Sequence, residues 1–498
     1  MSSELIMALD VGTQSSRAIA FDATGGQVAV GRAAHAPLMV GASGAVSQSP
    51  ADVWMALQAA IADCVTALGD RANDVRAAAL TTQRYTMIPC DSAGSPLMDA
   101  IHWLDRRTVR PQGSFLLESL CKIKKLRTIF GSSRGHVLKG VEPEIYAQTQ
   151  RFLPLSAWLT QNLVGEAVDT AGSFPGLWPM DATRGVWHTH DRMAKLLAVQ
   201  REWLPRLVPA GEPLGALLPS VALSLGLPAS IPVIAVGGDK QSELLGGGAI
   251  VGKPGIAAIS LGTAASVTTV VSKHQEDKSA RIYTTAAAQP DGWCLEYMLN
   301  RGMWMVTWLT RDLFRGVSIE TLESEAETVS IGADGLTCVP RWGAPVAASH
   351  ERGALLGFTE AHTRGHVYRA VIEGICLDLR QGLEALESRT GQRFDDLRIG
   401  GGGSQSDWVV QLLANVLGRD IRRGRTQELS ALGAAVVGAV HLGWYDTIEA
   451  AACMTEGGDT ISPRDAAQHA YARVYGQRFK PRFSGLSRMM KRETGVDQ

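Results

Sequence analysis

Short apolar runs that end in glycine or in a polar turn alternate along this chain with longer segments of helical periodicity. Apolar and β-branched residues predict buried strands at residues 5–9, 18–21, 27–30, 75–80 and 231–236. Residues 50–68 repeat their apolar positions at helical spacing, and residues 153–163 also have a helical pattern. The basic segment 109–139 has no clear period.

The stretch 231–248 places a single carboxylate directly after a predicted buried strand. Asp239 follows Gly237 and Gly238 and precedes a glycine cluster at residues 246–248. In open α/β sheets, ligands bind at the carboxyl ends of the strands, and glycines within such elements let a ligand or another backbone come close. The alternative is that Asp239 only caps the following helix through its side-chain oxygen.

A short pattern occurs twice in the chain. Residues 8–16 and 258–266 align without a gap, with the Ala, the Gly, the Thr and the last Ser identical. A second similarity pairs residues 231–248 with residues 396–413, which also run from an apolar strand through glycines into a helix. Together they predict a duplicated fold with a boundary near residues 252–255. Chance similarity between short glycine-containing strings is the alternative.

Length and charge limit the class of protein. A chain of 498 residues exceeds one compact core and suggests roughly two to four domains. With 48 basic and 49 acidic residues the net charge is −1, so neither nucleic-acid binding nor membrane-surface binding is predicted. The longest apolar candidate, residues 431–440, is too short to cross a membrane, and the amino terminus lacks a basic signal region, so a cytoplasmic location is expected. The seven cysteines form no CxxC pair and indicate neither a disulfide framework nor a structural zinc site.

The turn after the first predicted strand suits a phosphate group. Glycine at position 12 permits close approach, successive N–H groups can form an anion-binding nest, and the hydroxyls of Thr13 and two serines add donors. Asp10 would face the same anion, which is unfavourable unless a cation such as Mg²⁺ lies between them. Arg17 adds a fixed positive charge. An ordinary hairpin with a glycine in its turn is the alternative.

Four consecutive glycines at residues 400–403 form a second candidate ligand site. They lie between a predicted strand and a helix, where the missing Cβ atoms would let a flat ligand lie against the helix start. No Gly-Lys-Ser/Thr follows, so this is not a Walker A loop, and the spacing does not fit a dinucleotide fingerprint. The small-residue helix predicted at 428–435 could pack behind a nucleotide or be a packing helix alone.

Five segments carry most of this chemistry, and they occur in a fixed order. They are DVGTQSSRA (10–18), GGDKQSELLGGG (237–248), SLGTAAS (260–266), GGGGSQSDWVVQLLANVLG (400–418) and ELSALGAAVVG (428–438). Together they closely resemble the FGGY family of carbohydrate kinases. The resemblance implies an α/β fold of two ribonuclease-H-like (actin-type ATPase) domains, with an interdomain cleft that closes around ATP and a small sugar or polyol.

The resemblance also implies roles for the domains and for single residues. The N-terminal domain, 1–252, is expected to bind the sugar and to hold the first phosphate loop and the catalytic base. The C-terminal domain, 253–498, is expected to hold the second phosphate loop and to bind adenosine. Asp239 is expected to be the general base; a solvated Asp with a pKa near ~4 is ionised at about pH 7. Asp10 is expected to hold Mg²⁺ through water. The implied ATP-binding residues are Thr13, Gln14, Ser15, Arg17, Gly262, Thr263, Gly401, Gly402, Ser404 and Asn415.

The segments TTQRYT (81–86) and AIHWLDRRT (100–108) are most similar to the glycerol kinase branch of the family. The substrate-binding residues that this implies are Gln83, Arg84, Tyr85, Trp103, Asp239 and Lys240. Tyr85 stands where that branch has Glu, and Lys240 where it has Gln; both lost groups would pair with substrate hydroxyls, so glycerol is not favoured. Lys240 could instead bind a carbonyl or an acidic substituent. The alternatives are a Tyr85 ring packed in the core and a Lys240 side chain in solvent.

Residues 259–263 and 143–146 are closer to the xylulose kinase branch, so a pentulose or polyol kinase is the main expectation. Glycerol kinase is one alternative. A module of another class, which uses a nucleotide to change conformation or senses a sugar without kinase turnover, is a second. Closure of the two domains on substrate binding is expected, because a kinase must exclude water from the γ-phosphate. A homodimer is a possible assembly.

Overall fold

The computed structural model describes residues 4–111, 113–277, 281–345, 348 and 350–496. Strands and helices alternate through the first half of the chain. The strands are β1 (Leu5–Val11), β2 (Ser15–Phe21), β3 (Gln27–Ala34), β4 (Met39–Val40), β5 (Val46–Gln48), β6 (Val75–Thr82), β7 (Met87–Cys90), β8 (Ala100–Ile101), β9 (Arg151–Pro154), β10 (Val168–Asp169), β11 (Met180–Asp181), β12 (Val186–Trp187), β13 (Arg206–Leu207), β14 (Pro213–Ala216) and β15 (Pro232–Gly238). The helices are α1 (Pro50–Leu68), α2 (Phe115–Leu120), α3 (Lys124–Gly131), α4 (Arg134–Val141), α5 (Pro143–Gln148), α6 (Leu155–Val164), α7 (Arg192–Leu196), α8 (Pro219–Leu225) and α9 (Asp239–Gly246).

The second half has longer helices around one large sheet. Its strands are β16 (Ile256–Leu261), β17 (Ala265–Val271), β18 (Ile282–Ala286), β19 (Trp293–Leu299), β20 (Thr337–Val339), β21 (Ala354–Leu356), β22 (Asp396–Gly400), β23 (Ile421–Arg423) and β24 (Asp459–Ile461). Its helices are α10 (Trp304–Trp308), α11 (Ile319–Glu327), α12 (Arg364–Thr390), α13 (Asp407–Leu417), α14 (Leu429–His441), α15 (Ile448–Ala451), α16 (Asp465–Arg473) and α17 (Lys480–Val496).

The two large sheets repeat one topology. The first has the strand order β14-β15-β6-β1-β2-β3, and the second has the order β18-β19-β17-β16-β22-β23-β24. In the first, β1 pairs antiparallel with β2 and parallel with β6; in the second, β16 pairs antiparallel with β17 and parallel with β22. The repeated segments 8–16 and 258–266 therefore occupy equivalent hairpins, as the predicted duplication requires.

The second predicted similarity, between residues 231–248 and 396–413, is wrong in its pairing. β22 is the parallel neighbour of the hairpin strand β16, as β6 is of β1, so β22 corresponds to β6. β15 is the neighbour of β6 in the first sheet, and β23 is the neighbour of β22 in the second, so β15 corresponds to β23. The error arose because a strand followed by a turn and a helix occurs at both places, and local sequence does not reveal which strands are neighbours.

Helices α9 and α14 follow the equivalent strands β15 and β23, and they cross in direct backbone contact. A Cβ atom added to Gly246 would lie 1.9 Å from the carbonyl oxygen of Leu429, and one added to Gly433 would lie 1.9 Å from that of Ser242. The glycine cluster thus admits a neighbouring backbone, one of the two predicted uses. α14 also shares a core with β1, β6 and β15 of the first sheet. The division into domains 1–252 and 253–498 remains a prediction.

A smaller five-stranded sheet of order β4-β5-β8-β7-β9 stands beside the first large sheet. The turn that follows β8 carries Trp103. The segment 109–139, which has no clear period in the sequence, contains α2, α3 and part of α4. Helices of six to eight residues complete only about two turns, so they show too few apolar repeats to be recognised.

One segment, Pro50–Asp74, is long and apolar enough to cross a membrane by length and composition. The expectation that residues 431–440 are the longest apolar candidate is therefore wrong. In the fold, α1 lies within this segment and packs on β2 and β3. Its inward face is buried and consists of Pro50, Val53, Ala56, Leu57, Ala60, Ile61, Cys64 and Leu68. The core helix of a globular domain can have the same length and composition, and α1 packs against the sheet as such a helix does.

Candidate active site

The predicted motifs converge where the two large sheets face each other. β1, β6 and β15 are parallel, so their carboxyl ends lie at one edge of the first sheet and carry Asp10, Arg84 and Asp239. From the second sheet, β16 leads into the turn with Gly262 and Thr263. This space between the sheets is called the cleft below.

Asp239 is the first residue of α9, directly after β15. The helix cap is Gly238, and it makes no side-chain capping bond; the Asp239 Oδ1 accepts a hydrogen bond from the N–H of Lys240 at 2.8 Å. The capping alternative is therefore not the arrangement that the structure shows. The side chain is 30% exposed, and its Oδ1 lies 3.5 Å from the Nε of Arg84.

The expectation that Asp239 behaves as a solvated carboxylate is wrong. Burial raises the pKa of Asp239 above its ordinary value, while the positive charges of Lys240 and Arg84 lower it. Asp239 is thus a partly buried carboxylate whose negative charge is stabilised by two nearby cations. A group of this kind can accept a proton more readily than an Asp in bulk water.

Arg84 connects Asp239 to the second sheet. Its Nη2 donates to both carboxylate oxygens of Glu296, at 2.9 and 3.3 Å. Glu296 lies on β19 and its side chain is 3% exposed, so the pair is a charge-assisted contact between the two halves of the chain. Arg84 is thereby fixed in position beside Asp239.

The Lys240 ammonium group is not free in the cleft. It donates to Glu243 Oε2 at 2.6 Å and to Ser260 Oγ at 2.7 Å, so it links α9 to β16. Burial alone would lower the pKa of Lys240, but the Glu243 and Asp239 carboxylates raise it, so the side chain stays charged. The proposal that Lys240 binds the substrate remains a prediction; the contacts show a link between the two sheets beside Asp239.

Asp10, Arg17 and Glu428 form a charged group at the first predicted phosphate loop. Arg17 Nη1 lies 3.0 Å from Asp10 Oδ2 and 3.2 Å from Glu428 Oε2, and Glu428 also pairs with Arg32. Burial raises the pKa of Asp10 to about 6; Arg17 lowers it, and Asp239 and Glu428 raise it. The charge of Arg17 thus lies between the carboxylates of Asp10 and Glu428, and Asp239 acts on the Asp10 carboxylate from α9.

Replacing Asp10 with Asn is expected to stabilise the fold at neutral pH. Because the folded pKa of Asp10, about 6, exceeds the unfolded value of about 3.9, its contribution to stability is present below about pH 4 and is lost as pH rises through 6. At pH 7.5 the Asn variant should therefore unfold at a higher temperature than the wild type. Its free energy of unfolding should be larger by up to about 3 kcal/mol. The difference should vanish near pH 4.

Thermal unfolding monitored by circular dichroism from pH 4 to pH 8 measures this difference. Asp63→Asn, at an exposed position of α1, is the matched control and should track the wild type at every pH. A wild-type protein that is more stable than Asp10→Asn at pH 7.5 would show that the ionised carboxylate stabilises the fold.

A buried polar network joins the first phosphate loop to Trp103. The Trp103 Nε1 donates to Thr13 Oγ1 at 3.0 Å, and Thr13 Oγ1 donates to Gln83 Oε1 at 3.3 Å. Gln83 Nε2 donates to Gln48 Oε1 at 2.7 Å, and Gln48 Nε2 donates to the Thr13 carbonyl at 3.2 Å. The predicted substrate and phosphate residues therefore meet directly at the Thr13 hydroxyl.

His102 completes this network as a neutral ring. Burial and the charge of Arg134 lower its pKa to about 3. Its Nδ1 accepts from the N–H of Leu104 at 3.2 Å, so its Nε2 carries the proton and donates to Gln83 Oε1 at 2.9 Å. Both ends of the Gln83 amide are thus used within the protein. Its predicted role in binding substrate is untested, and its contacts are those of a residue that positions Thr13.

The second predicted phosphate loop is braced from two sides. The carbonyl oxygen of Thr263 accepts from the N–H of Gly302 at 2.9 Å. Gly401 has φ of +85°, and a Cβ atom there would lie 2.8 Å from the carbonyl carbon of Leu261 and 3.1 Å from the N of Gly262. A side chain at position 401 would push this loop away, so glycine is required for the contact.

The predicted adenosine residues differ in their surroundings. Gly402 has open space on its Cβ side, whereas the Ser404 hydroxyl is buried and donates to the Gly401 carbonyl at 2.7 Å. Asn415 lies on α13, and its Oδ1 accepts from the N–H of Arg464 at 2.8 Å. The glycine turn is thus open to a ligand at Gly402, while Ser404 and Asn415 have partners within the protein.

Tyr85 packs partly in the core, which is one of the two arrangements considered for it. Its ring makes an edge contact with Trp178 at 6.3 Å between centroids, and the Arg134 guanidinium lies 4.5 Å from the Tyr85 ring centre. The backbone φ of Tyr85 is +65°, a strained value for a bulky residue. The neighbouring Arg84 is directed into the cleft from this turn. Gln14 and Ser15 lie on the first phosphate loop, Gln14 exposed and Ser15 partly buried.

The structure adds four residues to the cleft that the sequence did not identify: Glu296, Glu428, Tyr283 and Arg301. A lone Glu within the apolar run WCLEYML was the available signal for Glu296, because a buried charge needs a partner. Glu428 begins the segment ELSALGAAVVG, but nothing in the sequence indicated its ion pairs with Arg17 and Arg32. Tyr283 and Arg301 lie in segments without a recognisable motif.

Comparison with known proteins gives these features a family. The profile for the N-terminal domain of the FGGY family of carbohydrate kinases matches residues 5–246, and the profile for its C-terminal domain matches residues 257–442. A glycerol kinase from Deinococcus radiodurans is 29% identical over 468 residues, 90% of each chain.

Two solved structures share the fold over nearly the full length. They are a ligand-bound xylulose kinase from Lactobacillus acidophilus, with TM-score 0.84, 21% identity and 99% and 100% of the two chains covered, and a gluconate kinase from the same organism, with TM-score 0.83, 21% identity and 97% and 98% covered. The predicted two-domain actin-type α/β fold is therefore confirmed. On the two family profiles together, this chain belongs to the FGGY family of carbohydrate kinases.

Proposed function

We propose that this protein transfers the γ-phosphoryl group of ATP to a hydroxyl of a small sugar or polyol. The observation that carries the proposal is Asp239, a partly exposed carboxylate at the carboxyl end of β15, 3.5 Å from Arg84, which in turn binds Glu296 of the second sheet. Family membership and the similarity to a glycerol kinase and a xylulose kinase support it. A pentulose or polyol is the expected acceptor class, with glycerol as the alternative.

In the proposed reaction, Asp239 accepts the proton of the acceptor hydroxyl. The hydroxyl oxygen forms a new bond to the γ-phosphorus, and the bond from that phosphorus to the bridging oxygen breaks and releases ADP. Burial raises the pKa of Asp239, and Arg84 and Lys240 partly oppose this effect. A carboxylate with a raised pKa is a stronger base than an ordinary Asp. The main contribution of such a site is alignment of the two reactants and compensation of charge.

The phosphates would lie between the two turns. The hydroxyls of Thr13 and Thr263, with the backbone N–H groups of both turns, would donate to phosphate oxygens. Arg17 would supply positive charge at the first turn. The open glycine turn at Gly402 would accept the adenosine, because nothing lies within 4 Å on its Cβ side.

Magnesium fits the carboxylates at the first phosphate loop. Among the described residues, no group of three His, Cys, Asp or Glu side chains forms a ready ligand set. Mg²⁺ at phosphate sites is commonly held by one or two carboxylates with water and phosphate oxygens, and Asp10, with Asp239 and Glu428 near it, provides the negative charge for this. Asp10 would hold the ion, which would neutralise phosphate charge.

The proposal predicts acceptor-dependent formation of ADP. Purified protein with ATP and Mg²⁺ should release ADP when a suitable pentulose or polyol is present, and mass spectrometry should detect an acceptor that has gained one phosphoryl group. ADP formation without a phosphorylated product would overturn the proposal and favour the nucleotide-driven module. Because ATP is the proposed donor, a cytoplasmic location is part of the proposal.

A further inference from the structure

Two arginine side chains from the two halves of the chain meet at one wall of the cleft. Arg106 follows β8, three positions after Trp103, and its Nη1 donates to the Ala344 carbonyl at 3.1 Å. Arg301 follows β19. A Cβ atom added to Gly343 would lie 3.2 Å from Arg106 Nη2 and 3.1 Å from Arg301 Cγ. Both side chains therefore pack against the same glycine.

Neither guanidinium has an acidic partner within the part of the chain that the structure describes. Arg106 donates to a backbone carbonyl, and the guanidinium of Arg301 lies 4.8 Å from the centre of the Trp304 ring. Most of the donors on these two forks are thus available to a ligand, since each guanidinium offers five N–H groups.

Other arginines of the cleft are matched with carboxylates. Arg17 pairs with Asp10 and Glu428, and Arg84 pairs with Asp239 and Glu296. The wall at Gly343 is therefore a local excess of positive charge beside regions that are balanced.

An anion would relieve this excess of positive charge. Arg301 is half-buried, and burial lowers its pKa to about 10, with a further contribution from the charge of Arg106. Arg106 is exposed to solvent. Two neighbouring like charges repel each other, and an anion that binds between them offsets this repulsion.

The position of this wall relates it to the acceptor. Tyr283 pairs across the strands with Glu296, the partner of Arg84. Burial raises the pKa of Tyr283, Glu296 raises it further and Arg106 lowers it, so both charged groups act on the Tyr283 phenol. Strand β19 carries Glu296, which binds Arg84 beside Asp239, and Arg301 follows the end of the same strand. From the other half of the chain, Arg106 lies in the segment after β8 that also carries Trp103.

We propose that the acceptor carries a carboxylate that Arg106 and Arg301 bind, so that the substrate is a small polyhydroxy acid. This rests on the proposed kinase function, and it assigns the two ends of the acceptor. The hydroxyl that receives the phosphoryl group lies at Asp239, and the carboxylate lies at the arginine pair. Arginine forks bind carboxylates through two parallel hydrogen bonds, and a charged bond of this kind discriminates strongly against a neutral end group.

Binding is measured by isothermal titration calorimetry with aldonates (threonate, xylonate, gluconate and their stereoisomers) and with the corresponding alditols. At least one aldonate should bind about tenfold or more tightly than its alditol. Arg301→Gln and Arg106→Gln should each weaken that binding by about tenfold or more and leave alditol binding unchanged. Arg315→Gln, at an exposed arginine that donates to the Arg311 carbonyl, is the matched control.

The outcomes separate this inference from the kinase proposal. Phosphorylation of neutral sugars or polyols with no aldonate binding would overturn the carboxylate site and leave the kinase function in place. Arginine-dependent aldonate binding without any phosphoryl transfer would support the site and overturn the kinase function. If Arg301→Gln raised the KM for ATP and left the preference among acceptors unchanged, the arginine would face the nucleotide and the inference would be wrong.

Discussion

Asp239→Asn is expected to reduce the turnover of ATP and acceptor by about 10²-fold or more. The amide keeps the shape of the side chain but cannot take the proton from the acceptor hydroxyl, and it also removes the negative charge beside Arg84 and Lys240. Because Asp239 is proposed to act on the acceptor hydroxyl, ATP binding should change little. The measurements are kcat by a coupled ADP assay and the shift of the unfolding temperature with a nucleotide analogue.

Two controls make this result specific. Asp63→Asn makes the same chemical change at an exposed position of α1 and should retain wild-type turnover. Glu296→Gln weakens the ion pair that positions Arg84 and should lower turnover less than Asp239→Asn does. If Asp239→Asn retained turnover within about tenfold of the wild type while folding normally, another group would have to be the base.

Gly246→Ala is expected to disrupt the crossing of α9 and α14. The added Cβ atom would lie 1.9 Å from the Leu429 carbonyl oxygen, closer than real Cβ contacts, so the helices would have to separate. Overpacking of this kind costs about 1–3 kcal/mol, and it acts on the helix that begins with Asp239. The unfolding temperature should fall and kcat should fall with it, both measured on the purified variant.

Gly485→Ala is the matched control for this change. Gly485 lies within α17, and nothing lies within 4 Å of the added Cβ atom. Since Ala favours a helix over Gly by about 1 kcal/mol, this variant should be as stable as the wild type or more so. A Gly246→Ala protein with unchanged stability and turnover would mean that the two helices separate at no cost, and that their close contact does not matter for function.

Local sequence patterns predicted the elements that position the site. Strands such as β1 and β6 and helix α1 were predicted close to their observed bounds, because each buries a regular apolar pattern. The two Gly-Thr turns and the glycine run at 400–403 were also predicted, since these residue types have few other uses at such positions. The pairing of 231–248 with 396–413 failed because strand neighbours are set by long-range contacts.

The partners of the site residues could not be predicted. Lys240 was considered as a ligand for the substrate, yet its ammonium is bound by Glu243 and Ser260, and the second of these lies on another sheet. The state of Asp239 depends on burial and on two nearby cations, which a single sequence does not show. Arg106 and Arg301 are almost 200 positions apart and become neighbours only at Gly343.

The hydroxyl of Thr13 has one proton, and in this structure it makes two hydrogen bonds. It accepts from Trp103 and donates to Gln83, so to donate to a phosphate oxygen it would have to give up the hydrogen bond to Gln83. The free energy of ATP binding therefore includes the rearrangement of a residue that touches the acceptor region. If the acceptor contacts Trp103 and thereby changes the affinity for ATP by some factor, thermodynamic reciprocity requires that ATP change the affinity for the acceptor by the same factor. The order in which the two substrates bind would then affect the rate of assembly but not the strength of the ternary complex.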